Sequence, residues 1–192
     1  SRYPEGPACR QACAAAPRHL RLPQTLAADD RVHRIIVVND GSSSACDSVF
    51  KTTATFPKTT VLTHSINRGK GAALKTALQE ALLDHPDAIA VTIDADGQHR
   101  PKDMFAVLDE LKKHPDALIL GARRFDLSNV PLKSRLGNTI TRAITSYLIG
   151  QQISDTQTGL RAFHRRHFEA FANIDGDRYE YEMNVLLACG KL

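Results

Sequence analysis

From about residue 32 onward, short apolar runs alternate with longer segments in which apolar residues recur at helical spacing. The runs have strand length and are rich in β-branched residues, and they cover residues 33–38, 60–64, 88–93 and 117–120. The helical segments cover residues 71–83, 101–113 and 134–148. Strands that alternate with helices in this way predict an α/β fold, with a mostly parallel sheet and helices on both of its faces.

The N-terminal part of the chain has a different character. Residues 1–30 are rich in Pro, Ala and Arg and predict at most a short helix near residues 10–16. We therefore expect a poorly defined segment over residues 1–30 and a single domain over residues 31–192. The chain begins at Ser1 without a signal-peptide pattern and ends directly after an apolar helical pattern, so we expect it to be truncated at both ends.

Composition and charge exclude several classes of protein. The 192-residue chain is 42% hydrophobic and 24% charged, as in soluble globular proteins. Its apolar runs fall well short of the roughly 18 residues that a membrane-spanning helix needs. A net charge of +4, with 6% aromatic residues and no Trp, argues against nucleic acid as a partner. The same mild positive charge suits an anionic small molecule or an anionic membrane surface.

The cysteines carry no recognisable site. Cys9, Cys13, Cys46 and Cys189 lack the paired CxxC spacing of zinc sites. We therefore expect neither a structural zinc ion nor a disulfide framework, and a reducing cytoplasm suits this pattern best.

The segments that follow the predicted strands hold the unusual polar residues, and ligands of such sheets bind at the carboxyl ends of the strands. After the third strand, Asp94 and Asp96 are separated by one residue, so both carboxylates can point to the same side. Oxygen ligands of this kind suit a hard divalent cation, and Gln98 could add a carbonyl oxygen. The alternative is an Asx-turn that only reverses the chain.

The loops after the first two strands suit a nucleotide. Asp40, Gly41 and Ser42 combine a hydrogen-bond acceptor with small residues that allow a ligand close to the backbone, although a turn and helix N-cap would use the same residues. Arg68 and Lys70 stand among glycines directly before a helix, which favours a diphosphate site. A solvated basic loop is the alternative for this segment.

A basic segment follows the fourth strand. Arg123 and Arg135 belong to a region with a clear excess of cations, which suits a second anion, although a solvated basic surface would have the same composition. Asp155 lies further along in a dense polar stretch. It is either a partner that orients the arginines or a catalytic carboxylate.

Five motifs then occur in one order along the chain. They are Val-Val-Asn-Asp-Gly-Ser-Ser at 37–43, Asn-Arg-Gly-Lys-Gly-Ala-Ala at 67–73, Asp-Ala-Asp-Gly-Gln-His at 94–99, Gly-Ala-Arg at 121–123 and Ser-Asp-Thr-Gln-Thr-Gly-Leu-Arg at 154–161. This order resembles family-2 glycosyltransferases with the GT-A fold, a Rossmann-like α/β fold. It is most similar to the polyprenyl-phosphate branch, which includes dolichol-phosphate mannosyltransferase and bacterial undecaprenyl-phosphate glucosyltransferases. The resemblance covers about residues 33–190.

The resemblance implies roles for the candidate residues. Asp40 would contact the nucleoside, and Asp94 and Asp96 with Gln98 would handle the nucleotide diphosphate and Mg²⁺ or Mn²⁺. Arg123 and Arg135 would approach the acceptor phosphate or the donor diphosphate. Asp155 matches a position near the reacting centre. The implied donor is a nucleotide-diphosphate sugar, either a UDP-hexose or GDP-mannose, and the implied acceptor is a polyprenyl phosphate.

The resemblance also implies a reaction and a place in the cell. We expect a metal-dependent, inverting hexose transfer at the cytoplasmic face of a membrane. Two alternatives are a glycosyltransferase with a carbohydrate hydroxyl as acceptor, for which Asp155 would be the base, and a non-catalytic module that binds a nucleotide sugar or a lipid phosphate. The apolar first strand with which the family opens has no match in residues 1–30, so we expect this strand to be missing or diverged.

Overall fold

A computed structural model of the protein describes residues 16–96, 99–121 and 158–189. In chain order the helices are α1 (Ala16–Ala27), α2 (Asp47–Ala54), α3 (Lys70–Ala81), α4 (Pro101–Lys113), α5 (Phe168–Ala172) and α6 (Glu180–Cys189). The strands are β1 (Ile35–Asp40), β2 (Thr59–His64), β3 (Ile89–Thr92), β4 (Ile119–Leu120) and β5 (Arg161–His164). Short 3₁₀ turns, Ser44–Cys46 and Arg165–His167, precede α2 and α5.

The α/β alternation predicted from the sequence is confirmed. The predicted strands at 33–38, 60–64, 88–93 and 117–120 correspond to β1–β4, each with shifted ends. Helix α4 has the predicted bounds because Pro101 suits the first helical position and Asp103 accepts a hydrogen bond from the backbone N–H of Arg100 at 3.1 Å. The predicted helices at 10–16 and 134–148 lie outside the described residues, apart from residue 16 in α1.

Helix α1 is a difference from the expected poorly defined N-terminal segment. The sequence does not predict a helix at this place, because Pro23 interrupts the helical pattern and the segment begins without an acidic first turn. Packing accounts for the helix, since Leu26 and Ala27 are buried and Leu22 packs against the core that contains the buried side chains of α4. Tertiary contacts here outweigh a weak local preference.

The described strands form two sheets. β1 and β2 are parallel, with Ile35 opposite Thr59 and Asp40 opposite His64. β5 lies between β3 and β4 and is antiparallel to both. The parallel pairing expected from the sequence is confirmed for β1 and β2, whereas the described pairings of β3 and β4 are with β5, which runs in the opposite direction. No hydrogen-bonded pairing joins the two sheets within the described part of the chain.

Helices cover both faces of the strands, as predicted, because neighbouring strand residues point to opposite sides. One core contains buried side chains of α3, α5, α6 and β5, with Ile36 and Ala90 packed against it from β1 and β3. The other core contains buried side chains of α1, α4 and β5, with Ile35 and Ile89 packed against it. The rings of Phe163 on β5 and Phe171 on α5 meet edge to face at 4.9 Å between centroids.

Two further findings concern the expectations drawn from composition. Across the three described ranges, no helix combines the length and apolar character that crossing a membrane requires. Cys46 is buried and disulfide-bonded, a single disulfide that the spacing of the cysteines did not predict.

Candidate active site

The carboxyl end of β1 organises the two loops that the sequence assigns to a nucleotide. The Asp40 carboxylate accepts hydrogen bonds from the backbone N–H groups of Arg68 at 2.9 Å and Gly69 at 2.7 Å. The same carboxylate lies 2.7 Å from Nδ1 of His64, whose Nε2 lies 2.9 Å from the Thr76 hydroxyl on α3. Asp40 therefore ties the loop at 67–69 to the end of the parallel pair.

Glycine allows these loops to approach each other. Gly41 has a φ of +63°, and a Cβ atom there would lie 2.3 Å from the backbone N of Asn67. A larger residue would be strained by its φ and would collide with backbone that cannot yield. The backbone N–H of Ser42 donates to the Asn39 side chain at 2.9 Å, which completes the turn after β1.

The start of α3 is packed against the segment that leads into α6. The N–H of Ala72 donates to the carbonyl oxygen of Asp177 at 2.9 Å, and a Cβ at Gly71 would lie 2.5 Å from the Cβ of Tyr181. The N–H groups of Arg68, Gly69 and Ala72 thus have partners within the protein. A phosphate at this loop would depend on side chains and on the remaining N–H groups.

Lys70, the first residue of α3, joins the end of β3 to α6. Its ammonium Nζ lies 2.8 Å from Oδ1 of Asp94 and 2.8 Å from Oε2 of Glu182. Glu182 has only 9% of its side chain exposed, against 23% for Asp94 and 27% for Lys70. The ion pairs therefore run from a buried carboxylate outward to a carboxylate at the surface of the site.

Arg161 supports this arrangement from β5. Its Nη1 donates to the carbonyl oxygen of Glu182 at 2.9 Å, its Nε donates to the carbonyl oxygen of Thr158 at 3.1 Å, and Nη2 lies 3.7 Å from Oε1 of Glu182. Gly159 leaves room for Asp94, because a Cβ there would lie 2.2 Å from Oδ1. Arg161 on β5 and Gly159 just before this strand thus contact the two carboxylates that pair with Lys70.

The electrostatics of the cluster keep its cations charged. Burial lowers the pKa of Lys70, but the carboxylates of Glu182 and Asp94 outweigh burial and raise the pKa above its usual value. Burial lowers the pKa of the Arg161 guanidinium, and Glu182 opposes that effect. Two acidic and two basic side chains therefore balance each other in a partly dry site, where an unpaired charge would be costly.

The residues predicted for the donor site meet at one edge of the molecule. Loop 67–69 bonds to Asp40, and Lys70, which follows it, contacts Asp94. Asp96 lies two residues beyond Asp94 in the exposed turn after β3. Gln98, Arg123, Arg135 and Asp155 lie outside the described residues, so their predicted roles stay predictions. Within residues 16–96, 99–121 and 158–189, no group of three or more His, Cys, Asp or Glu side chains could hold a metal ion.

Sequence reasoning missed two residues of the site. The sequence analysis does not single out Glu182, although an acidic residue between Tyr181 and Val185 on a buried helix face is a recognisable signal. His64 stands at the end of β2 and gave no signal in the sequence, because its partner Asp40 is adjacent only through strand pairing.

The basic cluster around β5 is separate from this edge. Arg165 and Arg166 follow β5, whose direction opposes β3, so they lie at the other end of the sheet. Arg165 donates to the carbonyl oxygen of Leu82 at 2.5 Å, and Arg166 pairs with Asp116 at 2.5 Å. These contacts join loops and agree with a structural role.

Comparisons with known proteins bear on the family of the chain. Residues 20–171 match the model of glycosyl transferase family 2. An uncharacterized protein of Methanocaldococcus jannaschii is 37% identical over 164 residues, covering 82% of this chain and 64% of the relative. A UDP-N-acetylglucosamine–dolichyl-phosphate N-acetylglucosaminyltransferase of Methanococcus voltae is 30% identical, covering 82% of this chain and 69% of the relative.

A third relative comes from a bacterium. A polyprenol monophosphomannose synthase of Mycolicibacterium smegmatis is 26% identical, covering 81% of this chain and 60% of the relative. The chain therefore spans about two thirds of the length of these proteins, and the match extends across β1–β5. The prediction of the family from five ordered motifs is confirmed: the chain belongs to glycosyl transferase family 2, in the part of that family related to polyprenyl-phosphate glycosyltransferases.

Proposed function

We propose that this protein transfers a hexose from a nucleotide-diphosphate sugar to a polyprenyl phosphate, with inversion at the anomeric carbon. The observation that carries the proposal is the contact between Lys70 and Asp94, which brings the predicted diphosphate loop and the predicted metal-binding turn to one edge. The names of the relatives support the acceptor, since one acts on dolichyl phosphate and another makes polyprenol monophosphomannose. The sugars named in these two relatives differ, so the candidate donors are UDP-hexoses, UDP-N-acetylglucosamine and GDP-mannose.

The donor set of the site fits a divalent cation. Asp94 and Asp96 offer two carboxylates, the ammonium group of Lys70 already lies against Asp94, and Gly159 lets the Asp94 carboxylate take its place beside the backbone. Mg²⁺ is commonly held in proteins by one or two carboxylates together with substrate phosphates. A bound Mg²⁺ or Mn²⁺ would neutralise negative charge on the diphosphate.

We propose separate roles for the residues that bind the donor and the acceptor. Asp94 and Asp96 would hold the divalent cation beside the diphosphate of the donor, and Asp40 would keep the loop at 67–69 in place next to it. Arg123 and Arg135 are proposed to hold the acceptor phosphate or to stabilise charge on the departing nucleotide. An acceptor phosphate is already ionised at neutral pH, so its attack on the anomeric carbon needs no strong general base. The tail of a polyprenyl acceptor would place the reaction at a membrane surface, and we propose the cytoplasmic face.

A transfer assay tests the proposal. Purified protein is incubated with each of the three donor types and a polyprenyl phosphate in detergent, and the lipid-linked sugar is quantified by mass spectrometry. We expect product with one donor, loss of product with EDTA, and recovery with Mn²⁺ or Mg²⁺. Asp96→Ala should lower the rate on the order of 100-fold or more, the scale for removing one charge-stabilising group. The matched variant Asp87→Ala, at a side chain that is 85% exposed, should keep its rate. Unchanged transfer by Asp96→Ala would contradict the proposed site.

A carbohydrate hydroxyl is the second candidate acceptor, because Asp155 stands in a family motif and could serve as a base. Asp155→Asn distinguishes the two acceptors. A hydroxyl must lose its proton during attack, so the rate should fall roughly 100-fold or more. With a phosphate acceptor the decrease should be much smaller. The transfer rates of the unaltered protein and of Asp155→Asn are measured with each acceptor at a saturating concentration of donor.

A further inference from the structure

Lys70 makes two ion pairs of equal length but of unequal surroundings. Asp94 at one side belongs to the partly exposed turn after β3, whereas Glu182 at the other side is buried in α6. An ammonium group that lies 2.8 Å from each of two carboxylates neutralises part of the negative charge of each. The site therefore holds a positive charge at the carboxylate that the proposed function assigns to a divalent cation.

Of the two carboxylates that pair with Lys70, Glu182 is the one held in place by other contacts. Arg161 holds the backbone of Glu182 through Nη1 and brings Nη2 within 3.7 Å of its carboxylate. Arg161 is itself buried, with 4% of its surface exposed, and its Nη2 has no hydrogen-bond partner among the described residues. Glu182 is thus the anion that compensates Arg161, and moving it away would leave a buried cation without compensation.

Asp94 is the carboxylate at which a divalent cation could replace the ammonium group of Lys70. An ammonium group and a divalent cation on one carboxylate repel each other strongly at these distances. A divalent cation that takes Asp94 must therefore displace Lys70 or weaken its contact. Lys70 would keep Glu182 during that exchange, so its ammonium would never be buried without a counter-charge.

We propose that Lys70 is the resident counter-ion of Asp94 in the protein without substrates, and that Glu182 retains Lys70 when a divalent cation takes Asp94. Glu182 is accordingly a positioning residue, which acts on the metal-binding carboxylate through Lys70. This inference rests on the proposed function, since it assumes that Asp94 binds a divalent cation during sugar transfer.

The test measures binding of Mn²⁺ alone to the full chain, from the electron paramagnetic resonance signal of free Mn²⁺. Lys70→Met removes the competing cation and should tighten Mn²⁺ binding roughly tenfold, a size expected for one close and partly screened charge. Glu182→Gln leaves Lys70 with Asp94 as its main partner and should weaken Mn²⁺ binding by a similar factor. Lys70→Arg retains the charge and should bind Mn²⁺ as the unaltered protein does.

Two exposed positions provide matched controls. Lys51→Met on α2 and Glu169→Gln on α5 make the same changes in net charge away from the site. We expect both to bind Mn²⁺ like the unaltered protein. A folding defect can only weaken binding, so tighter binding by Lys70→Met cannot arise from damage. Changes of the same direction in Lys70→Met and Glu182→Gln, or no binding by any variant, would overturn the inference.

The sugar-transfer assay separates this inference from the proposed function. Transfer by the unaltered protein without the opposite changes in Mn²⁺ binding would overturn only the role of Lys70 and Glu182. Opposite changes without transfer to any polyprenyl phosphate would leave the ion-pair exchange in place and overturn the proposed function.

Discussion

At the scale of single residues, Asp40 combines contacts that the sequence could not bring together. Its carboxylate accepts two backbone N–H groups and faces the ring of His64, so most of its acceptor capacity is used inside the protein. A nucleoside that contacts Asp40 would share these oxygens with the loop. We interpret Asp40 as a residue that shapes the nucleotide loop as well as a candidate for nucleoside binding.

This interpretation predicts a loss of stability for Asp40→Asn. The amide retains the shape but loses the charge, and one of its two terminal atoms becomes a donor facing N–H groups. We expect the free energy of unfolding to fall by about 1–3 kcal/mol, as for other buried donors left without a partner. Denaturant unfolding measures this. Asp87→Asn, at an exposed carboxylate, is the control, and an Asp40→Asn protein as stable as that control would show that the loop does not need the carboxylate.

At the scale of elements, the two helical layers contribute separately to the core. Helix α4 buries Met104, Phe105, Val107 and Leu111 against β3, β4 and β5, and its first turn is positioned by Pro101. Helices α3, α5 and α6 cover the opposite face. Because α3 and α6 carry Lys70 and Glu182, the packing of one layer also determines the geometry of the site.

Leu111→Ala tests the layer that is remote from Lys70. Leu111 has no exposed surface, so its truncation removes apolar burial and leaves a cavity. We expect a decrease of about 2–5 kcal/mol in the free energy of unfolding. Leu83→Ala, at a residue that is 77% exposed, should change it by no more than about 0.5 kcal/mol. Calorimetry of both variants checks the contrast, and equal effects would contradict the packing of α4.

At the scale of the whole molecule, the site depends on contacts between distant parts of the chain. Lys70 at the start of α3, Asp94 after β3 and Glu182 in α6 meet only because α3 packs beside α6 and because β5 lies next to β3. Arg165 and Arg166 join loops at the other end of β5. The two ends of the sheet thus have different roles: one gathers the candidate chemistry and the other stabilises the fold.

The stability of the molecule should depend on the protonation of His167. Burial lowers the pKa of His167 below 6.5, Arg166 and His164 lower it further, and Asp116 opposes them. The ring stacks on Phe171 at 5.6 Å between centroids. A lowered pKa in the folded state means that the unfolded chain binds the proton more readily. The stabilising contribution is therefore complete above about pH 6.5 and is lost as the pH falls through the lowered pKa.

We expect His167→Gln to reduce the loss of stability between about pH 7 and about pH 5, because Gln does not titrate in that range. The free energy of unfolding is measured by denaturant titration across this range. His85→Gln, at a side chain that is 77% exposed, serves as the control and should keep the slope of the unaltered protein. Identical slopes for all three proteins would exclude His167 as a source of the pH dependence.

The sequence alone determined the elements and the edge at which the candidate chemistry lies. Strand length, β-branched composition and helical spacing are local properties, and they predicted β1–β4, α3 and α4. The order of the five motifs was enough to identify the family. Polar residues that directly follow strands must lie at the carboxyl edge, so Asp40, Asp94 and Asp96 could be predicted without coordinates.

Only the tertiary structure decided which of these groups contact one another. The pairing of Lys70 with Glu182, the antiparallel insertion of β5 and the contact of Asp40 with the loop all join residues far apart in the chain. Such contacts depend on how complementary surfaces pack and on which buried charges find a partner, and neither has a local signature in the sequence. The helix α1 belongs here too, since packing stabilises it against the weak helical preference of its own residues.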